Sequence, residues 1–208
     1  MKISLNGNEV FARGFADHLK IIAELQAQQP ILEKIAAEMT DAILNGNKIL
    51  WCGNGGSAAD SQHLSAELVG RFKRERGGLP SIALTTDTSV LTAIANDYGY
   101  DEIFRRQVEA LCNRGDVVVG ISTSGSSRNV VAALKEARDR GAFTIGLTGA
   151  GGGAIAGIAD AVICVPASDT ARVQEGHILC GHMLCDWIET AYTLETGARE
   201  LVAKDKAR

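Results

Sequence analysis

The sequence predicts an α/β protein: a three-layer α/β/α arrangement around a five-stranded parallel sheet, with a helical extension at the N-terminus. Three observations carry this. Short unbroken apolar runs alternate with segments of helical period, as in Val117-Val118-Val119-Gly120-Ile121, which suits strands covered on both faces. Polar, glycine-rich turns follow those runs directly. The 208 residues are 46% hydrophobic and 22% charged, a globular composition with enough chain for one sizeable core.

Taken in order, Val10, Phe11, Phe15, Leu19, Ile22 and Leu25 recur near every 3.6 residues and predict an amphipathic helix over 10–28. Pro30 opens a second helix with Ile31, Leu32, Ile35, Ala36, Met39 and Ile43 as its stripe, ended by Asn45-Gly46-Asn47. Two helices ahead of any strand can cap a sheet or build an interface between subunits. Strands are expected at 48–52, 81–84, 116–122, 143–147 and 161–165. Helices are expected at 57–71, 88–96, 101–112, 127–140 and, at the end, about 171–195. No repeat or low-complexity linker divides the chain. A single domain over 1–208 is therefore expected, with helices in 1–46 and the α/β core in 47–208.

Net charge is −4, which removes the electrostatic basis for a nucleic-acid role. Five cysteines with no CxxC pair read as buried free thiols in a reducing compartment. The N-terminus has no apolar run of the secretory kind. No stretch approaches the roughly 20 apolar residues that span a bilayer. A soluble, cytoplasmic protein with no membrane partner is expected.

Candidate chemistry sits where strands pass into helices, since parallel sheets bind ligands at the carboxyl ends of their strands. The first turn, Gly53-Asn54-Gly55-Gly56-Ser57, lets backbone approach a ligand closely, or serves packing alone. The helix after it carries His63 and Glu67, four residues apart on one face. They are ordinary helix residues, or they hold a metal or move a proton. The second turn, Ser122-Thr123-Ser124-Gly125-Ser126-Ser127, puts five hydroxyls before a helix start. One cap needs one hydroxyl, so the run favours a phosphate cradle for a monoester that is held and not transferred. The third, Ser168-Asp169-Thr170, caps the last helix, which carries Gln174, His177 and His182. His177, and His18 in the first helix, read as satisfied core residues. Gly176 is unusual inside a helix and is expected to loosen its start. Thr85 to Ser89 and Asn96-Asp97 can cap helices or bind a polyhydroxylated ligand. The run Arg71-Phe72-Lys73-Arg74-Glu75-Arg76 reads as a solvated helix end, with a contact to an anionic substrate or a neighbouring subunit as the alternative. No dinucleotide fingerprint or serine-hydrolase elbow is present.

Gly53 to Asp60, His63-x-x-x-Glu67, Thr92 to Gly99, Gly120 to Gly125 and Thr170 to His177 together resemble the phosphoheptose isomerases, within the sugar isomerase (SIS) fold, over nearly the whole chain and in the right order. The resemblance implies isomerisation of D-sedoheptulose 7-phosphate to D-glycero-D-manno-heptose 7-phosphate, which feeds nucleotide-activated heptose (ADP- or GDP-heptose) for lipopolysaccharide and other surface polysaccharides. It implies a homotetramer with interfacial active sites and one zinc per subunit. The implied metal ligands are His63, Glu67, Gln174 and His182. Ser122, Thr123, Ser124 and Ser127 would hold the phosphate. Asn54, Gly55, Gly56, Ser57, Asn96, Asp97, Asp169 and Thr170 would complete the substrate site, with Glu67 and Gln174.

Ketose–aldose interconversion moves a proton from C1 to C2 and another between the oxygens. Glu67 is the candidate base and His182 the candidate acid. A zinc-bound carboxylate is a poorer base, so either Glu67 leaves the metal or zinc is chiefly positional. Gln174 and His182 are eight residues apart, about 12 Å of helix rise, so they converge only by leaning together or by coming from different subunits. The alternative is a non-catalytic SIS protein that binds the replication initiator DnaA.

Overall fold

The five apolar runs form one parallel sheet in the computed structural model, which describes residues 7–206. The strands are β1 (Ile49–Gly53), β2 (Ser81–Ala83), β3 (Val117–Ser122), β4 (Phe143–Thr148) and β5 (Ala161–Cys164), in the order β2-β1-β3-β4-β5. Every boundary falls within one residue of its expected place. β1 and β3 are buried along their whole length, which is why their sequences are continuous rather than alternating. Trp51 pairs with Ala83 on one side and Val119 on the other, and its indole N–H donates to Ser81 Oγ at 2.8 Å.

The helices are α1 (Gly7–Leu25), α2 (Gln29–Leu44), α3 (Gly56–Val69), α4 (Thr88–Tyr98), α5 (Arg105–Leu111), α6 (Arg128–Asp139) and α7 (Thr170–Lys206). Successive strand residues feed opposite layers. Ile49 and Trp51 pack with Ile35 and Met39 of α2, Leu64 and Leu68 of α3, and Cys180 and Leu184 of α7. Leu50 and Cys52 pack with Phe104, with Val108 of α5, and with Val130 and Leu134 of α6. The chain leaves β1 for β2 on one side and returns to β3 on the other. The crevice between β1 and β3 is therefore the place where strand order reverses, which is where such sheets bind ligands.

Several expectations are corrected. The first helix ends at Leu25, and a short 3₁₀ turn, Gln26–Gln28, leads into α2. The Gln28 carboxamide leaves the helical pattern to pair with both backbone groups of Cys164, closing the free edge of β5. The apolar stripe of α1 divides: Ile21 and Leu25 are buried, while Val10, Phe11, Phe15 and Leu19 are exposed. The helix expected at 101–112 starts only at Arg105, because Gly99 (φ 93°) turns the chain into a 3₁₀ segment, Tyr100–Glu102. α7 continues well beyond 195. Gly176 does not loosen α7. A Cβ there would lie 2.7 Å from the Val165 side chain, so glycine lets the helix approach the sheet. His177 is the buried residue expected, with Nε2 3.0 Å from the Thr148 carbonyl. His18 is not in the core: its ring is 42% exposed and pairs with Glu175 at 2.7 Å, fastening α1 to α7.

All five cysteines are free thiols, and only Cys164 is incompletely buried. Among the described residues no helix is long and apolar enough to cross a membrane.

Candidate active site

The turn after β1 needs its glycines for two separate reasons. Gly55, the residue before α3, has φ 57°, a conformation that disfavours a side chain. A Cβ on Gly56 would collide with the Gln174 carboxamide, so here α7 passes directly over the first turn of α3. Ser57 is buried just behind this turn. Asn54 faces the other way and exchanges hydrogen bonds with Asn129 of α6 at 2.9 and 2.8 Å. Its Oδ1 also accepts from the Tyr100 hydroxyl at 2.9 Å. Asn54 thus ties the β1 turn to the first turn of α6 across the crevice. An open cavity of about 210 Å³ lies beside it, lined in part by Gly53, Asn54, Gly55, Thr85, Thr92 and Tyr100.

The β3 turn gathers its hydroxyls. Ser122 Oγ lies 2.9 Å from Ser127 Oγ and 3.3 Å from Ser124 Oγ. Ser127 is the N-cap of α6, yet its side chain makes no capping hydrogen bond. The capping explanation for this serine therefore fails, and its hydroxyl joins the cluster at the positive end of the helix. Gly125 (φ 64°) is packed against the backbone of Gly152 and Gly153. The Gly149 N–H donates to Thr123 O at 3.1 Å and the Ile155 N–H to Gly125 O at 2.9 Å. The glycine cluster after β4 is thus a buttress for the serine loop.

The third element is the seam between α3 and α7. His63 Nε2 is 2.9 Å from His182 Nε2 and 3.5 Å from Glu67 Oε1. These three donor atoms lie within 4.8 Å of one another. Phe72 stacks on the His182 ring, with centroids 5.4 Å apart and planes 16° from parallel. Burial lowers the pKa of His182, nearby His63 and Lys73 lower it further, and Glu67 opposes them, which favours the uncharged ring with a lone pair to offer. Two imidazole nitrogens and one carboxylate oxygen form the donor set that catalytic zinc sites use while leaving a fourth position open. The residues fit such an ion.

Other expected site residues are placed elsewhere within the single chain. Gln174 sits over Gly56, seven residues of α3, or about 10 Å, before His63. Gln174 thus lies over the glycine turn, while His182 lies with His63 and Glu67. Asn96 and Asp97 are exposed near the end of α4 and bond each other at 2.8 Å. The cavity is lined instead by Leu91, Thr92 and Ala95 of that helix. Asp169 caps α7, accepting from the Ala171 and Arg172 N–H groups at 2.9 and 3.2 Å, and Thr170 is the first residue of that helix. Sequence reasoning missed Tyr100, Asn129, Phe72 and Asp60. Asp60 is half-buried, with one carboxylate oxygen lacking a hydrogen-bond partner. Burial raises its pKa, and His63 only partly offsets this. Its position three residues before His63, hence on the same helix face, was the available signal.

The SIS domain family model matches residues 11–149. A phosphoheptose isomerase of Geobacter sulfurreducens is 57% identical over 180 residues, covering 81% of this chain and 95% of the relative. The solved phosphoheptose isomerase of Neisseria gonorrhoeae is 46% identical, with a TM-score of 0.84 over 88% of this chain and 98% of the other. That of Francisella tularensis is 37% identical, with a TM-score of 0.86 over 89% and 100%.

Proposed function

The chain belongs to the SIS domain family, among its phosphoheptose isomerases, and from that premise we propose that it interconverts D-sedoheptulose 7-phosphate and D-glycero-D-manno-heptose 7-phosphate as an aldose–ketose isomerase. The observation that carries the reading is the convergence of His63, Glu67 and His182 from two helices, next to a hydroxyl-lined turn at the strand ends. A protein that only bound a partner would have no need of that group, and nothing favours the DnaA-binding alternative.

The serine loop is suited to the phosphate. Ser122, Thr123, Ser124 and Ser127 offer hydroxyls at a helix start, and the positive end of the α6 dipole favours the dianion. Asn54, Gly55 and Tyr100 line the open cavity beside the β1 turn, where the sugar chain would lie, with Gly56 and the buried Ser57 shaping the turn behind it. Glu67 takes the proton from C1 and returns it at C2. His182 moves the second proton between the two oxygens. His63, Glu67 and His182 would hold zinc, one per subunit; because a carboxylate or imidazole nitrogen bound to an ion is a poor base, the zinc would be chiefly positional, and Lewis-acid stabilisation of charge on the reacting oxygens is the chemistry it could add.

We propose a homotetramer. The exposed row Phe11, Phe15 and Leu19 and an apolar groove of about 480 Å³ lined by Ile22, Leu25, Leu32, Met183 and Trp187 are surfaces that a second copy would cover. α4 has no fully buried residue, so it too is open to a neighbour. A neighbouring copy would bring Asn96–Asp97 and Asp169–Thr170 to its site, while Gln174 reaches the glycine turn of its own chain. A cytoplasmic location and supply of heptose for surface polysaccharide complete the proposal.

The test is product analysis by NMR of the purified protein with sedoheptulose 7-phosphate, with metal content measured on the same sample. Formation of the aldoheptose 7-phosphate, lost on chelation and restored by zinc, is expected. Full turnover in metal-free protein would remove zinc from the reaction, and no aldoheptose at all would defeat the function.

A further inference from the structure

One arginine of the charged run after α3 is not a solvated helix end. The Arg76 side chain is only 3% exposed, and its Nε lies 3.2 Å from Oε1 of Glu189, whose side chain is 0% exposed. Glu189 stands seven residues after His182, two turns along the same face of α7. Its carboxylate accepts three consecutive backbone N–H bonds, from Phe72 at 2.9 Å, Lys73 at 2.7 Å and Arg74 at 2.9 Å. Arg76 reaches back to the last turn of α3. It donates to the carbonyls of Glu67 at 2.9 Å, Leu68 at 2.8 Å and Gly70 at 3.2 Å, which a helix end leaves without intrahelical partners. Burial raises the pKa of Glu189, but the three backbone donors and Arg76 together carry it below its ordinary value. The Glu189 carboxylate is thus held ionised by its three backbone donors beside the Arg76 charge, while the Arg76 Nε–H itself makes no hydrogen bond.

This arrangement joins the two helices of the seam at one point. It grips α3 at Glu67 itself, and it holds the loop whose Phe72 ring lies on His182. Stability alone is a weak reason for a buried ion pair, since apolar side chains of similar volume often serve as well or better. An apolar pair, however, could not set the position of three backbone N–H groups and three carbonyls.

We infer that Glu189 and Arg76 are positioning residues for the isomerisation: they lock α3 to α7 and hold Phe72 against His182, and so set the spacing of His182, His63 and Glu67. The inference rests on the seam being the reaction centre.

The test uses Glu189→Gln and Phe72→Leu in the full-length protein, with two readouts. The first is the kinetic split. Glu189→Gln is expected to lower kcat about 10- to 100-fold, the usual effect of removing a supporting partner, with KM for sedoheptulose 7-phosphate little changed. The second is the NMR position of the His182 ring C–H protons in metal-free protein. The stacked Phe72 shifts them upfield, and both variants are expected to move them downfield to similar positions. Unmoved His182 resonances in folded Glu189→Gln would overturn the inference, whatever the activity. If Glu189→Gln does not fold, Phe72→Leu leaves the carboxylate and its donors intact and decides alone. Wild-type kcat in that variant would equally overturn the inference. Absence of turnover in the wild type would defeat the assigned reaction, while the His182 resonances would still decide the positioning.

Discussion

The serine loop and the α3–α7 seam are built on opposite plans. The loop is local: Ser122, Ser124 and Ser127 meet within six residues of chain, at the end of a strand and the start of a helix. The seam is remote: His63 meets His182 across 119 residues, and an ion pair nearly as remote, Arg76 with Glu189, fastens the two helices. A short loop needs only its own turn geometry and a buttress. A remote constellation needs a rigid joint, and the protein buries two charges to make one. The loop is therefore expected to govern binding and the seam to govern chemistry.

The sharpest way to break that division is at the seam. Glu67→Gln is expected to lower kcat by about 10³-fold, within the range for a lost general base, with KM within a few-fold of wild type in steady-state kinetics. His182→Ala is expected to have a similar effect, with the circular dichroism spectrum retained in both. At the loop the pattern should invert. Ser122→Ala removes the hydroxyl shared by Ser124 and Ser127. It is expected to raise KM about tenfold, as for one hydrogen bond to a charged group, while kcat stays near wild type. A Ser122→Ala variant that lost kcat and kept KM would merge the two regions into one.

The buttress offers a test of stability. Gly125→Ala forces a side chain into a positive-φ position against the Gly152 backbone, which backbone atoms cannot yield to cheaply. It is expected to cost about 2 kcal/mol or more in denaturant unfolding, along with phosphate affinity. An effect confined to acid pH concerns His177. Burial pushes its pKa down to about 4 from 6.5, against the Thr148 carbonyl, which raises it. Its Nδ1 is buried without a partner, so protonation there is unfavourable. The unfolded chain takes up this proton below pH 6.5 and the folded chain only near pH 4. Stability from this group is thus complete above pH 6.5 and falls between 6.5 and 4, by about 3 kcal/mol at most. His177→Gln is expected to flatten that part of the stability–pH curve.

What the sequence made legible follows the same division. The strands were readable to within a residue because the central ones, β1 and β3, are continuous apolar runs buried on both faces and the others are short apolar runs between turn signals. The serine loop was readable because its chemistry is contiguous. His63 and Glu67 were visible as a pair, but His182 joined them only through a resemblance to whole sequences, since spacing cannot measure a distance between helices. Arg76 was misread for the same reason: inside a charged run nothing distinguishes the one residue that turns inward to Glu189. The α1 stripe was read correctly as apolar, yet Phe11 and Phe15 lie exposed, because the period of a helix says which face is apolar and not what covers it. Gly176 looked like a weakness until Val165 was found against it.

The central claim is that Glu67, held in the seam, moves the proton between C1 and C2. Sedoheptulose 7-phosphate labelled with ¹³C at C2 reports this directly, because that carbon changes from the ketose position to an aldose secondary alcohol as the reaction proceeds. Wild-type protein and Glu67→Gln would be followed side by side by ¹³C NMR, both with measured zinc content. The account predicts conversion of the C2 signal by the wild type and, within the same time, none by the variant. Conversion by Glu67→Gln at a rate near wild type would contradict it.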